Sequence, residues 1–175
     1  FTACQSTGTS RTEETSSQLD DMQLEIKDLK KQIHATMASL NALQKATGDL
    51  KEPYQKYTDN VEELDAMAIS TGAKADEMKE KGRAYFADWE KQSDTITNED
   101  LKKLSDERKE KTAALFDEIL KARQKTKASG QPLLADLKDI RTYLDTNLTP
   151  DGIKSIDETI KKANEHSEQV TKDID

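Results

Sequence analysis

The sequence predicts an all-α protein, an elongated antiparallel helical bundle or coiled coil of four helices with a long central hairpin. Three observations carry this expectation. Apolar residues recur at alternating three- and four-residue steps through four runs, the spacing that keeps one stripe of a helix against a partner. Short turn signals separate the runs. Of 175 residues, 35% are charged and 33% hydrophobic, with 6 Gly and 3 Pro. That composition suits solvated outer helix faces joined by few loops. It argues against a compact α/β enzyme, which needs more apolar and more loop residues, and against collagen. A single Cys argues against a disulfide scaffold. No stretch approaches the roughly 20 apolar residues that span a bilayer.

The first run places Leu19, Met22, Ile26, Leu29, Ile33, Thr36 or Met37, Leu40 and Leu43 on one face. Thr47-Gly48-Asp49 breaks it. Gly48 supplies a left-handed terminator, and Asp49 caps the next helix. The second run continues from Leu50 through Tyr54, Tyr57, Val61, Leu64, Ala68, Thr71, Ala75, Met78, Gly82, Tyr85 and Trp89. Pro53 falls in its first turn, where a missing N–H costs little.

Ser93 to Asn98 reads as a turn, with Asn98 or Thr97 as cap and Glu99 and Asp100 at the positive helix end. The third run takes Leu101, Leu104, Arg108, Thr112, Leu115, Ile119, Ala122, Thr126, Ser129, Leu133, Leu137, Ile140 and Leu144. Pro132 interrupts it, but the phase continues, so a kink is expected rather than a stop. Thr149-Pro150 restarts the chain as cap and first helical residue. The fourth run is Ile153, Ile156, Ile160, Ala163, Ser167, Val170 and Ile174.

Short turns imply antiparallel neighbours. One register then serves every seam. It pairs Leu40 with Tyr57, Leu29 with Ala68, Leu137 with Ile160, Trp89 with Leu104 and Ala75 with Ile119. Large residues face small ones, as interdigitation requires. The end holding residues 30–65 and 122–174 should be a four-helix bundle. The opposite tip, near 82–112, should be only two helices thick. Tyr85, Phe86, Trp89, Leu101 and Leu104 concentrate there. Tyr85 and Trp89 lie on the seam and are expected in the hairpin core. Phe86 lies beside the seam and is expected to be more exposed. Tyr85, Phe86 and Trp89 are therefore the candidate interaction residues. Small residues mid-hairpin (Ala68, Thr71 and Gly72 against Ala122 and Thr126) are read as permitting close approach, with a pocket as the alternative. Acids outnumber bases on the second run and the third is nearly balanced, which favours ion pairing within the hairpin.

The start of the chain reads differently. Phe1-Thr2-Ala3-Cys4, followed by Gln5-Ser6-Thr7, resembles a bacterial lipobox. In such proteins the Cys thiol takes a diacylglyceryl group and anchors the protein to a membrane. More than one acyl chain anchors stably. Residues 1–17 are accordingly expected to be a lipobox remnant and a flexible Ser/Thr-rich tether, and 18–175 a single bundle domain. Gln5 after the Cys, rather than Asp, points toward the outer membrane and its periplasmic side.

The spacing of the His, Glu and Gly residues matches no familiar reactive constellation. A di-iron bundle needs Glu-x-x-His on inward faces, but Lys31 and Ala163 stand three residues before His34 and His166. His-Glu-x-x-His zinc spacing and a Gly-rich phosphate loop are absent. Both histidines are expected at the surface. The basic run Lys121, Arg123, Lys125 and Lys127 spreads around its helix in a chain of net charge −8, which reads as a solvated face and not a nucleic-acid site. No metal, cofactor or catalytic residue is assigned.

Two stretches carry a family resemblance. Tyr85-Phe86-Ala87-Asp88-Trp89-Glu90 is similar to an FxxWE turn approach. Pro132-Leu133-Leu134-Ala135-Asp136-Leu137-Lys138-Asp139-Ile140, with Tyr143-Leu144-Asp145-Thr146-Asn147-Leu148, is similar to a Pro-started segment ending in NLN. They resemble the bacterial domain-of-unknown-function family 2959, whose members are largely secreted or lipoprotein-like helical proteins. The resemblance spans roughly residues 45–165. It departs at Leu137 and Asp145, where an aromatic and a basic residue are usual. It implies a helical fold and an envelope location and brings no catalytic residues. The expected role is structural or interaction-based, as a scaffold or spacer for an envelope protein partner. The alternative is a lipid- or small-molecule-binding bundle, which requires an enclosed apolar cavity of some hundreds of Å³.

Overall fold

The structure is a computed structural model that describes the backbone of residues 8–175 and the side chains of residues 21–175. Among these residues it contains five helices and no strand: α1 (Gly8–Lys45), α2 (Lys51–Ser93), α3 (Glu99–Thr146), α4 (Pro150–Ser155) and α5 (Asp157–Ile174). At 1.5 Å per residue, the 43 residues of α2 and 48 of α3 run about 65 and 72 Å. Each long helix packs on its chain neighbour, and α5 returns to α1. The result is the expected antiparallel four-helix bundle.

The caps follow the local chemistry read from the sequence. Gly48 turns the chain at φ 90. The Lys51 N–H donates to Asp49 Oδ1 at 3.0 Å. Asn98 Oδ1 accepts from the Leu101 N–H at 3.1 Å, and Thr149 Oγ1 from the Gly152 N–H at 3.0 Å. These groups satisfy donors that a helix start leaves open. Helix α3 passes through Pro132 without a break.

Two boundaries differ from the sequence reading. Helix α1 begins at Gly8, so residues 8–17, expected in a tether, are helical. Glu13, Glu14 and Gln18 are good helix formers, and extending an existing helix costs far less than nucleating one. The fourth run is divided at Ile156, whose N–H bonds back to the Ile153 carbonyl at 3.2 Å in a tight three-residue turn. Tyr143 OH and Ser155 Oγ, 2.8 Å apart, tie that turn to α3.

The core sits at one end. Ile33, Met37, Leu40, Leu43, Leu50, Tyr57, Val61, Leu64, Leu133, Leu137, Ile140, Leu144, Ile153, Ile160, Ala163 and Val170 form one buried cluster. These are seam positions of all four runs. Polar groups pin the register inside and beside it. Tyr57, 0% exposed, donates its phenol to the Leu137 carbonyl at 2.6 Å. Gln32 Nε2 reaches the Asn60 carbonyl at 3.1 Å, and Thr36 Oγ1 reaches the same carbonyl at 3.1 Å. Asn41 Nδ2 donates to Asn164 Oδ1 at 3.1 Å, joining α1 to α5. Sliding one helix past another would break such bonds inside low-dielectric surroundings, where an unmatched polar group is costly.

Burial pushes the Tyr57 phenol well above its usual range. Burial, with a hydrogen bond to Asp145, pushes Tyr54 up to about 12. Both groups are raised, so their contribution is fully present below the unfolded tyrosine value of about 10 and is lost as pH climbs through the folded value. Urea midpoints should therefore stay flat from neutral pH to about 9 and fall between about 10 and 12. Tyr57→Phe should flatten that fall, and equal slopes in wild type and variant would refute the assignment.

Candidate functional site

Beyond the core the bundle thins into an arm built from α2 after Leu64 and α3 before Thr126, with α1 alongside α2. Helix α5 reaches down α3 only to Thr126, whose hydroxyl donates to the Asp173 carbonyl at 2.9 Å. The α1–α2 contact persists further: Lys74 pairs with Glu25.

The three aromatic residues singled out in the sequence do come together. Tyr85 meets Phe86 edge-on at 5.4 Å and Trp89 at 5.6 Å between ring centroids. Such geometry is the favoured one for aromatic pairs. Their role is partly internal. Trp89 Nε1 donates to Ser105 Oγ at 2.9 Å, and Phe86 packs on Phe116 at 5.7 Å. Phe86, expected to be exposed, is half-buried. Phe116 and Ser105 are partners that the seam reading missed. Gly82 faces Phe116 so closely that an added Cβ would lie 2.2 Å from the ring.

The third seam is corrected here. Leu101, Leu104 and Leu115 are 56%, 61% and 63% exposed, and Ile119 is 39%. Trp89 therefore does not pair with Leu104, nor does Ile119 sit buried against Ala75. Helix α2 is the neighbour of α3 along the arm's whole length, and it takes the adjacent face, where Ser105, Lys109 and Phe116 stand. No second neighbour covers the leucines among the described residues.

Ion pairs clamp the hairpin as the charge contrast implied. Arg123 lies 2.7 Å from Asp76, Lys138 2.7 Å from Asp65, Arg141 3.2 Å from Glu62 and Lys109 3.9 Å from Glu90. Arg123 holds the Asp76 carboxyl below the usual carboxylate range through its hydrogen bond and charge. Exposed pairs of this kind are individually worth little. Arg123 also donates to the Gly72 carbonyl at 3.2 Å, tying α3 to α2 at the small mid-hairpin residues.

The remaining features are surface ones. His34 is exposed, and His166 is partly buried 2.9 Å from Asp136. A groove of about 530 Å³ between α1 and α2 is open to solvent and lined by Met22, Leu24 and Met78 among charged side chains. Among the described residues no three His, Cys, Asp or Glu side chains converge as a metal site. Nor is any of their helices long and apolar enough to cross a membrane. Cys4 lies outside the described residues.

The arm thus presents exposed apolar side chains on an ion-paired hairpin. No curated protein and no solved structure matches this chain. A family description does match, and it extends past the stretch on which the sequence resemblance rested. Over residues 1–175, the whole length, the chain belongs to the family described as protein of unknown function, DUF2959.

Proposed function

We propose that this protein is a structural or protein-interaction component of the bacterial cell envelope. In this reading it is anchored through a lipid on Cys4, on the periplasmic side and to the outer membrane, and acts as a scaffold or spacer. The observation that carries the interaction role is the arm, where leucines stand more than half exposed on a helical hairpin. Large apolar side chains left exposed along one face of a folded domain suit a contact site. The location rests on the Phe1-Thr2-Ala3-Cys4 sequence.

Cys4→Ser should move the protein from the membrane fraction to the soluble fraction, as read by fractionation of cells expressing the full chain with its natural leader. Unchanged membrane recovery would refute the anchor. A photo-crosslinker at Leu104 should capture a neighbour in intact cells, and loss of capture with the crosslinker moved to Glu63 on the bundle would localise the contact to the arm.

A further inference from the structure

We propose that Met22 and Met78 form a paired oxidation site, a latch that holds the first half of α1 against α2 and releases it when a peroxide converts the two thioethers to sulfoxides.

The site lies where α1 loses one of its two neighbours. Helix α1 packs on α2 and α5. Helix α5 meets it from Gln44, through Asp157, to Lys30, through Asp175. Leu29 is the last residue on this side that packs against the core cluster. Over residues 21–28 the contact is therefore with α2, where Lys74 pairs with Glu25.

Apolar material is sparse there. The seam of α1 offers Met22 and Ile26, both half-buried, and the seam of α2 offers buried Ala75 and half-buried Met78. Two of the three larger side chains are thus methionines. Both line the groove of about 530 Å³ that opens to solvent, so a small oxidant has access to them in the folded chain. Met37, 6% exposed in the core, has no such access. The contact also carries a cost of its own. Glu25 Oε2 is buried with no hydrogen-bond partner among the described residues. An acceptor left open in this way is destabilising, and the packing around it offsets that loss.

The chemistry is an oxygen transfer. A sulfur lone pair attacks one oxygen of hydrogen peroxide, and the O–O bond breaks. The transferred oxygen gives its proton to the departing hydroxide, so the products are a sulfoxide and water. Sulfur loses two electrons and the peroxide gains them. Each sulfoxide places a polar S–O bond in a seam that had been apolar, a change that disrupts methionine contacts and that sulfoxide reductases reverse. The α2–α3 hairpin does not depend on this seam. It keeps Phe86 on Phe116 and Arg123 on Asp76, so the release is confined to α1.

The test uses the purified full chain carrying Cys4→Ser and Met67→Leu, which leaves Met22, Met37 and Met78 as its thioethers. Hydrogen peroxide is added, and the products are read by peptide mass and amide hydrogen exchange. Oxygen should appear on Met22 and Met78 before Met37. Exchange over residues 21–28 should then quicken by at least about tenfold, while residues 33–43 hold their protection. Methionine sulfoxide reductases should restore the slow exchange. Adding Met22→Leu and Met78→Leu, which nearly conserve volume, should keep exchange slow with or without peroxide. Oxygen reaching Met37 first overturns the paired site. Sulfoxides at Met22 and Met78 without faster exchange, quickening that the reductases cannot reverse, or equal quickening in the leucine variant overturns the latch.

Discussion

Leu137→Ala should cost roughly 3 kcal/mol of stability, within the 2–5 kcal/mol typical of a buried leucine cut to its Cβ. Leu137 is 0% exposed in the cluster where the four long helices meet, and its carbonyl receives the Tyr57 phenol. The loss has two parts, the transfer energy of the removed methyl groups and the hollow left behind. Long helices held by polar bonds on several sides cannot slide to fill that hollow. A urea titration should show a lower midpoint with the same slope. Ile69→Ala is the matched comparison, because Ile69 is 66% exposed on α2. Its effect should stay within about 0.5 kcal/mol. Both residues are large aliphatics on the central hairpin, and only their burial separates them. Similar losses at the two sites would contradict the placement of the core.

Gly152→Ala should destabilise the protein by about 1–3 kcal/mol, the range for forcing an extra methyl group into a filled space. Local propensity argues the other way, because Ala is the better helix former by about 1 kcal/mol. Gly152 is buried in α4, and a Cβ there would lie 2.1 Å from the Asn147 carbonyl oxygen. That oxygen belongs to the backbone of the α3–α4 turn and accepts the Thr149 N–H at 2.8 Å. Relief therefore requires the turn to open, which would loosen the Thr149 cap and pull Ile153 from the core. A lowered thermal midpoint is expected. A raised one would show that helix propensity, not the close approach, governs this position.

These two predictions sit at opposite ends of what the sequence disclosed. Leu137 was legible, because three- and four-residue steps on four runs had to share one seam and Leu137 lies at its centre. The bundle register was legible for the same reason, and Tyr57 reaching Leu137 agrees with it. The tight approach at Gly152 was not, since it depends on where the preceding turn places a carbonyl. Within the candidate site, Tyr85, Phe86 and Trp89 could be found by their concentration. Their packing on Phe116 and Ser105 could not, because α2 selects a face of α3 next to the one that carries the leucines. Gln32 and Asn60 also passed unnoticed: a hydrophobic pattern is blind to amides whose burial is offset by bonding one another.

By itself, the sequence determined that this chain would be helical, where its turns would fall, which residues would share a stripe, and that the core would gather at the end where four runs overlap. Those features follow from spacing along one chain, and spacing is local information. Only the tertiary structure decided which stripes are covered. It buried the leucines of α3 that lie within reach of α1 and α5 and left Leu101, Leu104 and Leu115 in water, although all belong to one apolar run. The reason is physical: burial requires a neighbouring surface at contact distance, and whether one is present depends on how far the other helices extend.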